Sequence, residues 1–353
     1  MKKYFLYELK RNRLPLIVLT AFCTIIYLLI VIPSDFEPWL MSYTTGEYFI
    51  PSSHIHVPLI GLIILCTLVP ILMFAFKTDS KQVDCLYSVP ILRQKLYLTK
   101  SLIGLILVLV PFTVSFWLGF LVTAIKPNNF VLSGFVTAYF AAVPLAVLLF
   151  GINAFIFSRA NRVIDGLFFI ALYIGVVPLI MAFIQALNMD FRDNLVGGSP
   201  WDFFLYFSYS PLFYLTFRQV AVVQRAINFT DHRFAPVMFV FAAVSGIAAW
   251  IALIMSAKLQ KSENAERVSD SKFGYFFLIP FYLASAIAIS GLIRNAGVII
   301  TLSVICTLGA IVFSMIFRRS FRLKKQDLIG LAVGIGAGIA LAIVLTLVYT
   351  LLW

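Results

Sequence analysis

The chain has 353 residues, of which 62% are hydrophobic and only 12% charged, with a mean hydropathy of +1.00 and a formal net charge of +12. A soluble domain carries about 25% charged residues, so a soluble globular fold is excluded, and runs of about 20 apolar residues point instead to helices that cross a bilayer. The basic excess sits in short loops between apolar runs, where it sets orientation; it is not a nucleic-acid surface.

The segment Met1 to Arg13 carries Lys2, Lys3, Lys10, Arg11 and Arg13 interleaved with Tyr4, Phe5, Leu6, Tyr7 and Leu9, which predicts an interfacial helix, basic on one side and aromatic on the other. Span one follows at about Leu14 to Ile32; it is long for a signal-peptide core, lacks a small-x-small cleavage site and is read as retained. Pro33 to Val57 holds Asp35, Glu37 and Glu47 and no Lys or Arg, which places it outside. His54 and His56 form half of a metal set there, with no third ligand in view, so no metal is assigned.

Span two covers about Pro58 to Phe76, and Lys77 to Lys100 is the longest strongly polar interruption in the first half of the chain. Val83, Leu86, Tyr87, Pro90 and Ile91 recur at spacings of three and four, with Lys81, Asp84, Arg93 and Lys95 on the polar side. This predicts a short helix on a membrane surface, capped by Asp79 or Ser80 and ended or kinked by Pro90. Either it is a handle that another protein pushes, or it is an ordinary basic loop between two spans.

Span three is about Ser101 to Ile125, span four about Phe130 to Phe157 and span five about Gly166 to Leu187. Lys126 to Asn129 is an outer turn, and Ser158 to Asp165 is an inner loop with Arg159 and Arg162. Asn188 to Ala235 is the longest outer segment, with an aromatic core at Ser199 to Phe217 that suits an interfacial helix, a re-entrant element or an outer lid. Span six is about Pro236 to Ala257, span seven about Phe273 to Ile293, span eight about Ala296 to Phe317 and span nine about Leu328 to Leu352. Lys258 to Lys272 is an inner loop of mixed charge. In span nine, Gly330, Gly334 and Gly338 repeat every four residues, a pattern that lets a neighbouring helix come close. With the N-terminus inside, 21 of the 27 Lys and Arg lie in inner segments. The predicted fold is therefore an all-α membrane bundle of about nine spans.

The 15 Asp and Glu fall in loops or at span ends, whereas an ion-driven carrier usually keeps a charge within a span. Asn153 is the clearest polar residue inside an apolar run and is expected to bond a neighbouring helix. No phosphate-binding G-x-x-x-x-G-K-[ST] motif and no H-E-x-x-H motif occur, so the reading is of a chain that is not an enzyme and holds no cofactor. Cys23, Cys66 and Cys306 in apolar runs and Cys85 in the basic loop make no disulfide framework.

The run from Val83 to Ser101 resembles the first cytoplasmic loop of type-2 ABC exporter permeases, a segment of the form D-x-L-x-S-L-P-[IV]-x-R-x-x-L-x-x-x-K. Asp84, Leu86, Ser88, Pro90, Ile91, Arg93, Leu96 and Lys100 match it, and Val89 stands where Leu is usual. The N-terminal helix and Lys261 to Ala265 are also similar to parts of that family. The resemblance implies a transport subunit that pairs with a second permease and is driven by a separate cytoplasmic ATPase. Asp84, Leu86, Tyr87, Ser88, Pro90, Ile91 and Arg93 would dock on that ATPase. It further implies a six-span permease core over 1–257 and a three-span extension over 258–353. A bacterial cell membrane, surrounding lipid and an amphipathic, lipid-like or peptide substrate complete the expectation. The competing expectations are a membrane scaffold or sensor that moves nothing, and an ion-coupled carrier.

Overall fold

A computed structural model describes residues 2–33, 52–125, 132–187, 235–258, 260, 262–269, 271–290 and 296–352. The outer aromatic segment, the turns at 126–129 and 294–295, and the side chains of His54 and His56 lie outside the described residues. Eleven α-helices are described: α1 (Lys2–Arg11), α2 (Arg13–Val31), α3 (Ser52–Phe74), α4 (Ser80–Tyr87), α5 (Arg93–Ile125), α6 (Leu132–Ser158), α7 (Val163–Leu187), α8 (Ala235–Ser256), α9 (Tyr275–Ser290), α10 (Ala296–Arg318) and α11 (Lys325–Leu352). Short 3-10 turns cover Ala75–Thr78 and Ser262–Asn264, and no strand occurs among the described residues.

The described residues are all-helical, and the protein is embedded in a membrane. Among the described residues six helices are long and apolar enough to cross one: Arg13–Val31, Val57–Thr78, Arg93–Ile125, Ala138–Ser158, Ile300–Arg318 and Lys325–Leu347. Val163–Val176, Ala242–Ser256 and Tyr275–Ser290 are shorter apolar helices. A 19-residue helix rising about 1.5 Å per residue just matches a hydrocarbon layer of about 30 Å. Whole faces of α2 and α10 are bare apolar surface, as lipid requires: Leu14, Val18, Phe22, Ile25 and Leu29 on one, Ile300, Val304, Leu308 and Val312 on the other.

The chain divides into two compact units. One holds α1 to α3, α4 from Lys81, α5, α6 to Phe157, and α8 with the residues up to Ser262; the other holds Lys77–Ser80, α7 and the chain from Glu263 onward. The sequence boundary at 257/258 is a different cut, because here α7 is grouped with the last three helices.

In the first unit α5 is the axis, touched by α1, α2, α3 and α8. Tyr27 of α2 lies against Gly119 of α5, where a Cβ would collide with its ring. The α3–α6 contact follows from a proline. Pro70 removes the backbone donor that would bond the Cys66 carbonyl one turn earlier. Asn153 of α6 supplies the missing donor, its Nδ2 standing 3.0 Å from the Cys66 oxygen, so the expected interhelical bond is present. In lipid no water would fill that vacancy.

In the second unit α9 packs along α11, α10 and α7. The glycine repeat makes the closest seam. A Cβ at Gly334 would fall 2.9 Å from the Pro280 carbonyl oxygen, and one at Gly338 would fall 3.0 Å from that of Ala284. Leu283, Ile287 and Leu331 fill the core beside them. Gly336, on the same helix, has open space around its Cβ position. Gly334→Leu is therefore expected to lower the midpoint of thermal unfolding in detergent, by overpacking that costs about 1–3 kcal/mol, while Gly336→Leu leaves the midpoint unchanged.

Candidate docking segment

The polar segment between the spans begins with a lysine that is not available to solvent. Lys77 is buried, and its Nζ donates to the carbonyls of Ser158 and, at 3.1 Å, Ala160. It thereby satisfies acceptors that the end of α6 leaves without intrahelical donors. The helix α4 then starts at Ser80. Glu266 Oε1 accepts from the Ser80 amide at 3.2 Å and from the Ser80 hydroxyl at 3.1 Å, so the first helical N–H meets a carboxylate.

Within α4 the three-and-four spacing is realised as one inward face formed by Val83, Leu86 and Tyr87, while Pro90 and Ile91 fall beyond the end of the helix. Val83 is only 2% exposed, and Leu86 and Tyr87 are half-buried. Lys81, Gln82, Asp84 and Cys85 face solvent. After Tyr87 the chain bends: Ser88 N–H still bonds the Asp84 carbonyl, Ser88 Oγ donates to the Cys85 carbonyl at 2.8 Å, and Ile91 N–H closes a tight turn onto the Val89 carbonyl at 2.7 Å. Ser88 and Pro90 are exposed and Ile91 is half-buried. Leu92, which the sequence pattern did not single out, is 65% exposed, an apolar side chain at the outer edge of the bend.

Charge placed the expected boundary of span three at Ser101, but the helix α5 starts at Arg93. Pro90 is the last helix breaker in the segment, and nothing from Arg93 to Lys100 interrupts the backbone. Arg93 itself is turned to use within the chain. Its Nη1 donates to the Gln260 carbonyl at 2.5 Å, and its guanidinium lies 4.6 Å from the centroid of the Tyr87 ring. A carboxylate brought to Arg93 by a docking partner would compete with both contacts.

The motif ends at Lys100, 2% exposed, whose Nζ stands 3.0 Å from Glu8 Oε1. Glu8 is fully buried and accepts also from Arg11 at 3.0 Å and from the Tyr4 hydroxyl at 2.8 Å; Asn12 Nδ2 donates to its carbonyl oxygen at 2.8 Å. Burial first, and then the Glu8 carboxylate, push the Tyr4 hydroxyl well above its ordinary range, so it stays a donor. Glu8 was missed at the sequence level, although it is the only acid among the first 13 residues, and a lone acid in a basic amphipathic helix is the signal that marks it.

Among the described residues no group of three His, Cys, Asp or Glu is placed to hold a metal ion. Gly330, Gly334 and Gly338 lie in the α9–α11 seam of the second unit. No family model, curated protein or solved structure matches the chain.

Removing one partner of a buried ion pair leaves the other charge stranded, at a cost of about 3–5 kcal/mol. Glu8→Gln and Lys100→Met are each expected to lower the unfolding midpoint strongly, and the double substitution to lose less than the sum of the two. A double-mutant cycle in detergent reads this coupling directly.

Proposed function

We propose that the chain is the permease subunit of a type-2 ABC exporter, driven by a separate cytoplasmic ATPase that docks on the segment 77–100. The reading rests on the exposed ledge of α4 and its bend. Asp84, Ser88, Pro90 and Leu92 point outward, flanked by the half-buried Leu86, Tyr87 and Ile91, while Val83 anchors the other side of the helix. A short helix gripped along one face and open along the other suits helix-in-groove recognition, with Leu92 and Pro90 as apolar contacts and Asp84 as the charged one. Force applied to such a ledge passes straight into α5, since only the bend at 88–92 separates the two helices.

Among the described residues, the carboxylates that lie in the long helices favour this reading over an ion-coupled carrier, since they sit in first turns or in α1. Asp165 and Asp327 occupy the first turns of α7 and α11, and Glu8 lies in α1. Each of the three is tied to neighbouring side chains: Asp165 to Ser269 and Tyr275, Asp327 to Arg318, Glu8 to Lys100. An ion-coupled carrier usually keeps an ionisable residue within a span, and such energy as this chain uses would come from its partner. In this proposal the protein crosses the bacterial cell membrane nine times with α1 inside, pairs with a second permease and exports an amphipathic, lipid-like or peptide substrate.

Co-purification with an ABC ATPase encoded beside this chain tests the reading. Wild type is expected to retain the ATPase, and Asp84→Lys combined with Leu92→Asp to lose it while keeping the same elution profile and unfolding midpoint. Equal retention by both, or no retention by either, overturns the docking role.

A further inference from the structure

The loop that precedes α9 was read from its sequence as a hydrophilic connection, yet one of its residues is built into the docking segment. Gln260 is only 8% exposed. Its side-chain oxygen accepts from the hydroxyl of Tyr97, a fully buried residue of α5. Its carbonyl accepts from Arg93 Nη1 at 2.5 Å. Arg93 in turn covers the Tyr87 ring at 4.6 Å, and Tyr87 is the last residue of α4. Behind this chain of contacts the Tyr97 ring packs on Phe74 and Phe76, with centroids 5.3 and 6.2 Å away, so Tyr97 cannot follow Gln260 if it moves. All these residues belong to the first compact unit.

We infer that Gln260 is a positioning residue for the docking helix: it is locked by Tyr97, presents its carbonyl to Arg93, and so holds Arg93 over Tyr87 and fixes the angle at which α4 leaves α5. The inference rests on the docking reading of α4 for its functional consequence but not for its geometry. The physical reason is the bend. Residues 88–92 carry few backbone bonds between helices, and an eight-residue helix is not stable alone, so the pose of α4 depends on side chains that bridge to it. A separate contact is made at Ser80, within the second compact unit. Glu266, with φ of 63°, sits in the left-handed region and accepts from Ser80. Its carbonyl is held by Arg162 Nε at 2.8 Å and its amide by the Asn161 carbonyl at 3.1 Å.

The test uses the exposed Cys85 as a reporter. In a full-length chain whose other three cysteines are replaced by alanine, a nitroxide at Cys85 is expected to give a restrained spectrum. Gln260→Ala and Tyr97→Phe each remove the same hydrogen bond and are expected to add a mobile component, and the double substitution to add no more than either alone. A second chain labelled only at Cys306, within α10, is expected to show no change. A docking pose populated one-tenth of the time weakens apparent affinity about tenfold, so ATPase retention by Gln260→Ala is expected to fall by that order. An unchanged Cys85 spectrum overturns the inference, as does equal loosening at Cys306, which is the mark of general destabilisation. A mobile Cys85 with unchanged ATPase retention overturns it as well, because the partner then does not depend on the pose. If wild type never retains an ATPase, the docking function falls, and the spectra still decide whether Gln260 sets the pose of α4.

Discussion

A carboxylate sealed from water anchors the first compact unit. Glu8 has no exposure, and the cation that compensates it, Lys100, is nearly as deeply buried. A charge in that setting is tolerable only with a partner and further hydrogen bonds, and Glu8 has Arg11 and Tyr4 besides Lys100. The pair fixes the N-terminal helix against α5 near the point where α5 turns from polar to apolar. Since α2, α3 and α8 also pack on α5, the position of that helix decides the position of most of the unit.

The same rule, that a polar group away from water must find a protein partner, accounts for the other fixed points. Pro70 leaves the Cys66 carbonyl without its helical donor, and Asn153 replaces it. The end of α6 leaves the Ser158 carbonyl open, and Lys77 donates to it and to the Ala160 carbonyl just beyond the helix. Asp165 accepts from Ser269 at 2.5 Å and from Tyr275 at 3.1 Å, which ties the approach to α9 onto the first turn of α7. Arg318 and Asp327 join the facing ends of α10 and α11. Apolar matching contributes little specificity between helices already in lipid, so these few polar bonds and the close glycine seam select which helix faces which.

Against that background the segment between α3 and α5 combines two opposite properties. The lysines that flank it, Lys77 ahead of α4 and Lys100 inside α5, are buried and hydrogen-bonded, while its middle is a ledge of exposed side chains around a bend. A loop that merely joined two spans would not need two buried lysines on its flanks. The combination suits a part that receives a push without collapsing, and this is the physical content of the proposed coupling to an ATPase.

The sequence by itself determined the class and the inventory. Long apolar runs in a chain with 12% charge leave the helical membrane bundle as the only way to satisfy the backbone. The spacing of Val83, Leu86 and Tyr87 marked the inward face of α4, and Asn153 stood out as a polar residue that needed a partner. Tertiary structure decided the rest, because pairings between residues far apart in the chain leave no local pattern. Glu8 with Lys100, Gln260 with Arg93 and Tyr97, and Glu266 with Ser80 are separated by tens to hundreds of residues, and none of these side chains announces its partner by spacing. The start of α5 at Arg93 was hidden for a different reason: hydropathy changes at Lys100, whereas the backbone hydrogen bonds that define a helix are indifferent to the polarity of the side chains they carry.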